Sequence, residues 1–150
     1  MRLWRLAPAS QAKVLDGVCS KTNGSHWTSP GLAVLVTAER LTLAALETAG
    51  PRLSCGQDEG YMQVLIDVPV GRILSVSRQG LPGDWEQNLA YTRSVGDRWL
   101  LSCVSLMLRV PSSMAGNACN VLINPDHADH QHVRILEMAP FGFDLRLDAA

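Results

Sequence analysis

Short segments in which apolar and polar residues alternate are the feature that most constrains how this 150-residue chain folds. In one of them, Met62, Val64, Ile66 and Val68 fall on one face, and Pro69 follows directly. Such alternation predicts a β-strand with one buried face, and a proline, which lacks the amide hydrogen, ends it. The same reasoning predicts strands in segments 3–6 (before Pro8), 104–110 (before Pro111) and 141–147, and the apolar run 32–38 has the length of a buried strand.

Only two segments favour longer helices. Segment 39–48 is rich in Leu and Ala and precedes Gly50-Pro51, and segment 84–102 opens with Asp84 as the predicted N-cap. Strands interleaved with two helices predict an α+β fold, and the length fits one compact mixed domain over residues 1–150. Glycine-rich phosphate loops and the serine-hydrolase elbow are absent from the sequence.

The charge balance and the cysteines narrow the class of protein. The chain carries 13 Lys and Arg against 14 Asp and Glu, whereas a protein that binds nucleic acid directly should show a basic excess. No apolar run approaches the roughly 20 residues of a membrane-spanning helix, and the first residues lack the apolar core of a secretory signal. The cysteines include no C-x-x-C pair, so reduced structural thiols are favoured over disulfides. We therefore expect a cytoplasmic domain that contacts neither membrane nor nucleic acid.

Glu47 is the most informative single residue in the pattern. It follows Leu43 and Leu46 at helical spacing, which places its carboxylate on the apolar side of the predicted helix. A carboxylate there is either partnered or held in a cleft for a purpose, because burying an unpaired charge is costly. The alternative is a glutamate near a helix end that reaches solvent.

Two further groups of polar residues are ambiguous. Three histidines and two aspartates in segment 126–132 could bind zinc, but their spacing matches no established ligand motif, so a solvated loop and no metal site are expected. Ser112 and Ser113 follow a predicted strand, where active-site hydroxyls often lie, and a turn is the alternative. A metal-dependent enzyme that uses His127, His130 and His132 stays open as a competing hypothesis.

Eight segments, in order from Leu3 to Leu147, resemble the RES domain, a family named for its Arg, Glu and Ser positions. They are Leu3-Trp4-Arg5-Leu6, Gly24-Ser25-His26-Trp27-Thr28-Ser29-Pro30-Gly31, Ala44-Ala45-Leu46-Glu47, Leu81-Pro82-Gly83-Asp84-Trp85, Val95-Gly96-Asp97-Arg98-Trp99-Leu100, Arg109-Val110-Pro111-Ser112, Asn120-Val121-Leu122-Ile123-Asn124-Pro125-Asp126-His127 and Phe141-Gly142-Phe143-Asp144-Leu145-Arg146-Leu147.

The resemblance implies a function as well as a fold. RES-domain proteins are typically toxins of bacterial type II toxin–antitoxin pairs, with an Xre-like antitoxin as partner and a fold similar to that of ADP-ribosyltransferases. It implies cleavage of the nicotinamide–ribose bond of NAD, which is a consumed substrate and not a bound cofactor. Water, phosphate or a protein side chain could accept the ADP-ribosyl group, and homo-oligomerisation is left open. A catalytically weak or inactive RES-fold interaction module is the alternative.

The resemblance also assigns site residues. Glu47 falls on the family's glutamate and is the candidate to stabilise the positive charge on the ribose, and Ser112 falls on its serine and could hold the substrate. His26, Trp27, Lys21 and Asn124 are the expected NAD-binding residues.

Two departures from the family accompany these assignments. His26 replaces the arginine of the family's G-G-R-W, which removes a permanent charge and a five-donor fork. A tyrosine common in the family is also missing, since the corresponding strand reads Leu35-Val36-Thr37.

Overall fold

A computed structural model describes residues 1–48 and 60–142 of the chain. The elements in chain order are β1 (Arg2–Pro8), α1 (Val18–Asn23), β2 (Leu35–Ala38), α2 (Leu41–Thr48), β3 (Tyr61–Asp67), β4 (Ile73–Ser75), α3 (Leu89–Ser102), β5 (Met107–Pro111), β6 (Cys119–Ile123) and β7 (Arg134–Phe141). Short 3₁₀ turns occupy Ala9–Gln11, Arg78–Gly80 and Ala128–His132.

The strands form one seven-stranded sheet in the order β4-β5-β6-β2-β1-β3-β7. Only the β4–β5 pair is parallel, and the other pairs are antiparallel. The predicted mixed α+β architecture is therefore confirmed, with helices placed on a single mixed sheet. β1 and β2 lie near the centre of the sheet and share only the pair Trp4–Ala38, so these two neighbours diverge beyond that point.

Alternation along β5 and β6 buries both faces of the sheet. Met107 and Ile123 belong to a core cluster on one face, together with Leu3 and Ile66. Their immediate neighbours, such as Leu108 and Leu122, belong to a second cluster that α3 covers with Trp99 and Leu100. Because successive side chains of a strand point to opposite faces, one strand contributes to both clusters.

Two of the sequence-based boundaries, the starts of α3 and β5, are wrong. α3 begins at Leu89 with Asn88 as the N-cap, whose side chain accepts a hydrogen bond from the Tyr91 amide at 3.1 Å. Asp84 instead opens a turn, in which its carbonyl oxygen accepts from the Asn88 amide. β5 begins at Met107, since the exposed Val104 still belongs to the turn that leaves α3.

The last strand also differs from the prediction. β7 ends at Phe141, where the predicted strand 141–147 was expected to begin, and residues 143–147 lie outside the described residues. Pro140 lies within β7, at the edge of the sheet, where a missing amide hydrogen removes no interior ladder bond.

The cysteines only partly match the expectation of free thiols. Cys103 and Cys119 are free, but Cys19 is disulfide-bonded, and Cys55 lies outside the described residues. The cysteines therefore give no support to the expectation that this chain stays in a reducing compartment.

Candidate active site

A half-open cavity of about 230 Å³ lies where β1 and β2 meet α1 and α2. Its polar lining includes Arg5, Asp16, His26, Glu47 and Asn120. These residues come from five separate parts of the chain, so only the folded domain assembles them. The described cavity is somewhat smaller than the roughly 300–1,000 Å³ typical of ligand sites.

Helix α2 presents Glu47 to this cavity. Leu43 and Ala44 are buried in a third core cluster beside Ala38, and Glu47 lies one turn beyond Leu43. Leu46 is 42% exposed, so the prediction that it shares the buried face with Glu47 is wrong. The carboxylate is half-buried and accepts a hydrogen bond from the Ser112 hydroxyl, with 2.8 Å between Ser112 Oγ and Glu47 Oε1.

Ser112 orients Glu47 and does not itself line the cavity. It follows the last residue of β5 and is 2% exposed. Its Oγ accepts hydrogen bonds from the amides of Met114 and Ala115, at 3.0 and 3.2 Å. Because a hydroxyl has one proton to donate, these two bonds direct that proton to Glu47. Of the two adjacent serines, Ser113 is the one that lines the cavity.

Arg5 is a cavity residue that sequence reasoning did not single out. It lies on β1, is 8% exposed, and donates from Nη1 to the Val14 carbonyl oxygen at 3.2 Å. Burial lowers the pKa of the guanidinium to about 10, an effect that nearby Asp16 partly opposes. Arg5 therefore remains a cation at neutral pH, and a buried arginine in an apolar alternation is the signal that could have identified it.

His26 is fixed in the cavity wall by its neighbours. Its Nε2 lies 3.0 Å from the Glu86 carbonyl oxygen, and its ring meets Trp85 edge-on at 5.8 Å between centroids. The Thr92 hydroxyl donates to the His26 carbonyl oxygen at 2.6 Å. Leu35, Val36 and Thr37, the strand residues that correspond to the region of the family's common tyrosine, line the same cavity, and none of them is aromatic.

The other three predicted NAD-binding residues lie elsewhere. Trp27 is buried in the core cluster beneath α3 and borders only a small recess next to the main cavity. Lys21 is exposed on α1 and is not part of the cavity lining. Asn124 is fully buried, and its amide nitrogen donates to the Leu100 carbonyl oxygen at 2.9 Å, which ties β6 to α3.

The histidine-rich segment has local structural contacts. His127 Nδ1 accepts a hydrogen bond from the Asp129 amide at 3.0 Å. Burial lowers the pKa of His130, while a hydrogen bond with the Leu15 carbonyl and the charges of Asp126 and Asp16 act in the opposite direction. Among residues 1–48 and 60–142, no group of three His, Cys, Asp or Glu side chains could hold a metal ion.

Within the same residues, no helix is both long and apolar enough to cross a membrane.

Comparison with known proteins places this arrangement in a family. The sequence model of the RES-domain family matches residues 2–147 of this chain. The chain belongs to the RES-domain family. A "Prs ADP-ribosylating toxin" from Sphingobium sp. (strain YBL2) is 29% identical over 153 residues, covering 96% of this chain and 94% of the relative. A "Toxin Res" from Yersinia enterocolitica serotype O:8 is 30% identical over 139 residues and covers 91% of each chain.

A solved structure supports the same fold. A chain of the M. tuberculosis MbcT–MbcA toxin–antitoxin complex superposes with a TM-score of 0.75, covering 93% of this chain and 83% of that one. The two sequences are 16% identical, so the RES fold is shared although most side chains differ.

Proposed function

We propose that this RES-domain protein is an NAD-consuming toxin that cleaves the bond between nicotinamide and ribose. The observation that carries the proposal is the hydrogen bond from buried Ser112 to Glu47 at the wall of the cavity. It holds a carboxylate in one orientation inside a cleft that the buried Arg5 also lines. The two toxins named above, from Sphingobium and Yersinia, support it by likeness across nearly the whole chain.

Glu47 has the chemistry that the cleavage needs. When nicotinamide leaves, positive charge develops on the ribose, and hydrogen bonds to the 2-hydroxyl strengthen, as they do in glycoside cleavage. A carboxylate fixed beforehand stabilises that charge without reorganising during the reaction. In this proposal Glu47 is the catalytic residue, and Ser112 is a positioning residue that keeps Glu47 in place.

Arg5 and His26 would bind the substrate. A dinucleotide carries a pyrophosphate, and charged donors form strong hydrogen bonds with phosphate oxygens. Arg5 has five N–H donors, and within the described residues it makes one hydrogen bond, to Val14. We therefore assign the pyrophosphate contact to Arg5. That contact supplies the charge that is lost where His26 stands in place of the family's arginine.

We further propose a partner and a compartment. The MbcT relative occurs in a toxin–antitoxin complex, and we infer that an antitoxin, Xre-like as the family resemblance implies, neutralises this chain. NAD is abundant in the bacterial cytoplasm, which is where we place the protein. His26 and Val36 favour one alternative, a catalytically inactive RES-fold module that keeps only the protein partner.

Expression in a bacterial host tests the proposal. Wild-type protein is expected to arrest growth and deplete cellular NAD, and Glu47→Gln is expected to do neither, because the amide has no negative charge. Glu39→Gln is the matched control, since Glu39 is a half-exposed surface residue paired with Arg109 at 3.1 Å. Unchanged growth and NAD in wild-type cells, with folded protein present, would favour the inactive module.

A further inference from the structure

The main cavity reaches both faces of the sheet, in the gap where β1 and β2 diverge. On β1, Arg5 lies two residues beyond Leu3, which belongs to the core cluster on one face. On β6, Asn120 lies two residues before Leu122, which belongs to the cluster beneath α3 on the other face. Side chains two residues apart on a strand share a face, so the cavity has an Arg5 side and an Asn120 side. Glu47 borders the small recess together with Asn120, whereas Arg5 does not, and Glu47 therefore belongs to the Asn120 side.

Asp16 places a second carboxylate on the Arg5 side. It lines the main cavity and is absent from the lining of the recess that Glu47 borders. The charge of Asp16 opposes the effect of burial on the pKa of Arg5, so the carboxylate lies close to that guanidinium. Asp16 is exposed, and its Oδ1 accepts a hydrogen bond from the Val18 amide at 3.1 Å. This bond holds the carboxylate at the rim of the cavity, where α1 begins.

The charges in the cavity can hold one phosphate-bearing group and no more. Within the described part of the chain, Arg5 is the only Lys or Arg of the lining, whereas Asp16 and Glu47 both contribute negative charge. Lys21 is exposed and does not belong to the lining. A pyrophosphate bound by Arg5 therefore uses the one permanent cation of the described lining, and any additional phosphate would meet carboxylates.

We infer that Asp16 is a specificity-determining residue, which accepts a hydrogen bond from the 2′-hydroxyl of the adenosine ribose and selects NAD against its 2′-phosphorylated form, NADP. The inference rests on the proposed function, which assigns the nicotinamide ribose to Glu47 and the pyrophosphate to Arg5. In a dinucleotide the adenosine ribose follows the pyrophosphate, on the side away from nicotinamide. Asp16 lies beside Arg5, on the side away from Glu47, and is therefore the carboxylate that this second ribose meets.

The chemistry of a carboxylate fits this discrimination. Dinucleotide sites that take NAD commonly present an acidic side chain to the ribose 2′-hydroxyl, and sites that take NADP present an arginine to the 2′-phosphate. The hydroxyl can donate its proton to Asp16, whereas a phosphate has only acceptor oxygens and negative charge at that point. Bringing like charges together at an interface strongly disfavours binding. Asp16 therefore acts against NADP by repulsion as well as in favour of NAD by a hydrogen bond.

Competition between the two dinucleotides tests the inference. The purified full-length chain is incubated with NAD or NADP, nicotinamide release is followed, and kcat/KM is determined for each. Wild-type protein is expected to prefer NAD by at least about 100-fold, the effect of one unfavourable charge contact at an interface. Because both values come from one preparation, their ratio does not depend on how much of the protein is folded.

Two substitutions remove the charge of Asp16 and keep its place at the start of α1. Asparagine and serine are N-cap residues comparable to aspartate, so Asp16→Asn and Asp16→Ser should fold like the wild type. In both variants the preference for NAD should fall at least about 10-fold, mainly because kcat/KM for NADP rises as the repulsion is lost. Asp67→Asn is the matched control, since Asp67 is half-exposed on β3 and does not line the cavity. It should keep the wild-type preference.

The possible failures are distinguishable. Equal use of NAD and NADP by the wild type contradicts the inference and leaves the proposed function intact. A preference for NAD that is unchanged in Asp16→Asn and Asp16→Ser, or reduced as much in Asp67→Asn, contradicts the assignment to Asp16. Absence of nicotinamide release from both dinucleotides contradicts the proposed function and the inference together.

Discussion

Arg5→Met is expected to stabilise the protein while removing its activity. Arg5 is a nearly buried charge to which the proposed function assigns the pyrophosphate contact, and methionine keeps an apolar stem without the guanidinium. Burial lowers its pKa from the usual value of an arginine to about 10, which corresponds to about 3 kcal/mol of unfavourable burial, because each pKa unit is worth about 1.4 kcal/mol. The lost hydrogen bond to Val14 subtracts about 1 kcal/mol.

The net effect is therefore a gain of about 2 kcal/mol in the free energy of unfolding. For a chain of this length that raises Tm by about 4–8 °C. Because the folded pKa lies below the unfolded one, the advantage of Arg5→Met is full below about pH 10 and shrinks as pH rises toward the unfolded value. Affinity for NAD should fall about 10- to 100-fold, as expected for loss of charge-assisted hydrogen bonds.

Thermal unfolding at pH 7 and NAD titration of the same preparations measure both effects. Arg2→Met is the matched control, since Arg2 is exposed on the same strand and its replacement should change neither quantity. A lower Tm for Arg5→Met than for wild type would refute the reasoning that the buried charge destabilises the fold. Unchanged NAD affinity would refute the role of Arg5 in substrate binding.

Three further predictions concern packing, pH and positioning. Gly96→Ala should destabilise the domain by about 3 kcal/mol in denaturant unfolding, because a Cβ at this position would overlap the backbone carbonyl of Trp27. Gly83→Ala is the control, because the space around Gly83 is open, and it should change the stability little. His130→Gln should reduce the fall in Tm between pH 7 and pH 5.5. Burial lowers the pKa of His130, so the native state loses stability as the pH drops below the pKa of the unfolded histidine. An equal fall in both proteins would count against this. Ser112→Ala should lower kcat about 10-fold and leave KM for NAD nearly unchanged, because this buried serine contacts Glu47 and not the cavity; a change in KM alone would indicate direct substrate contact.

Much of the fold could be predicted because strand alternation is a local property of the sequence. Segment 61–68 was correctly expected as a strand, since its apolar residues meet the core at every second position. β7 was missed because an edge strand is only half-buried and tolerates Pro140. The start of α3 was misplaced because Asp84 and Asn88 are both good N-caps, and only the packing of Trp85 into the core selects between them.

The candidate site was only partly predictable, for a physical reason. Glu47 carries a signal that can be read along one helix, a carboxylate close to apolar neighbours. Its contact with Ser112 joins residues 65 positions apart, and no local pattern encodes it. Trp27 and Asn124 have residue types that suit ligand binding, but buried positions in the core hold them away from the main cavity. Arg5 was missed for the opposite reason. Its own strand shows only a charged residue in an apolar alternation, and it lines a cavity only because other elements of the chain fold around it.

Nicotinamide release from NAD by purified protein is the most direct test of the central claim. Wild-type protein and Glu39→Gln are expected to release nicotinamide at the same rate, and Glu47→Gln is expected to be at least about 100-fold slower, as when a preorganised charge-stabilising group is removed. Equal rates for wild type and Glu47→Gln, or no release by folded wild-type protein, would contradict the account.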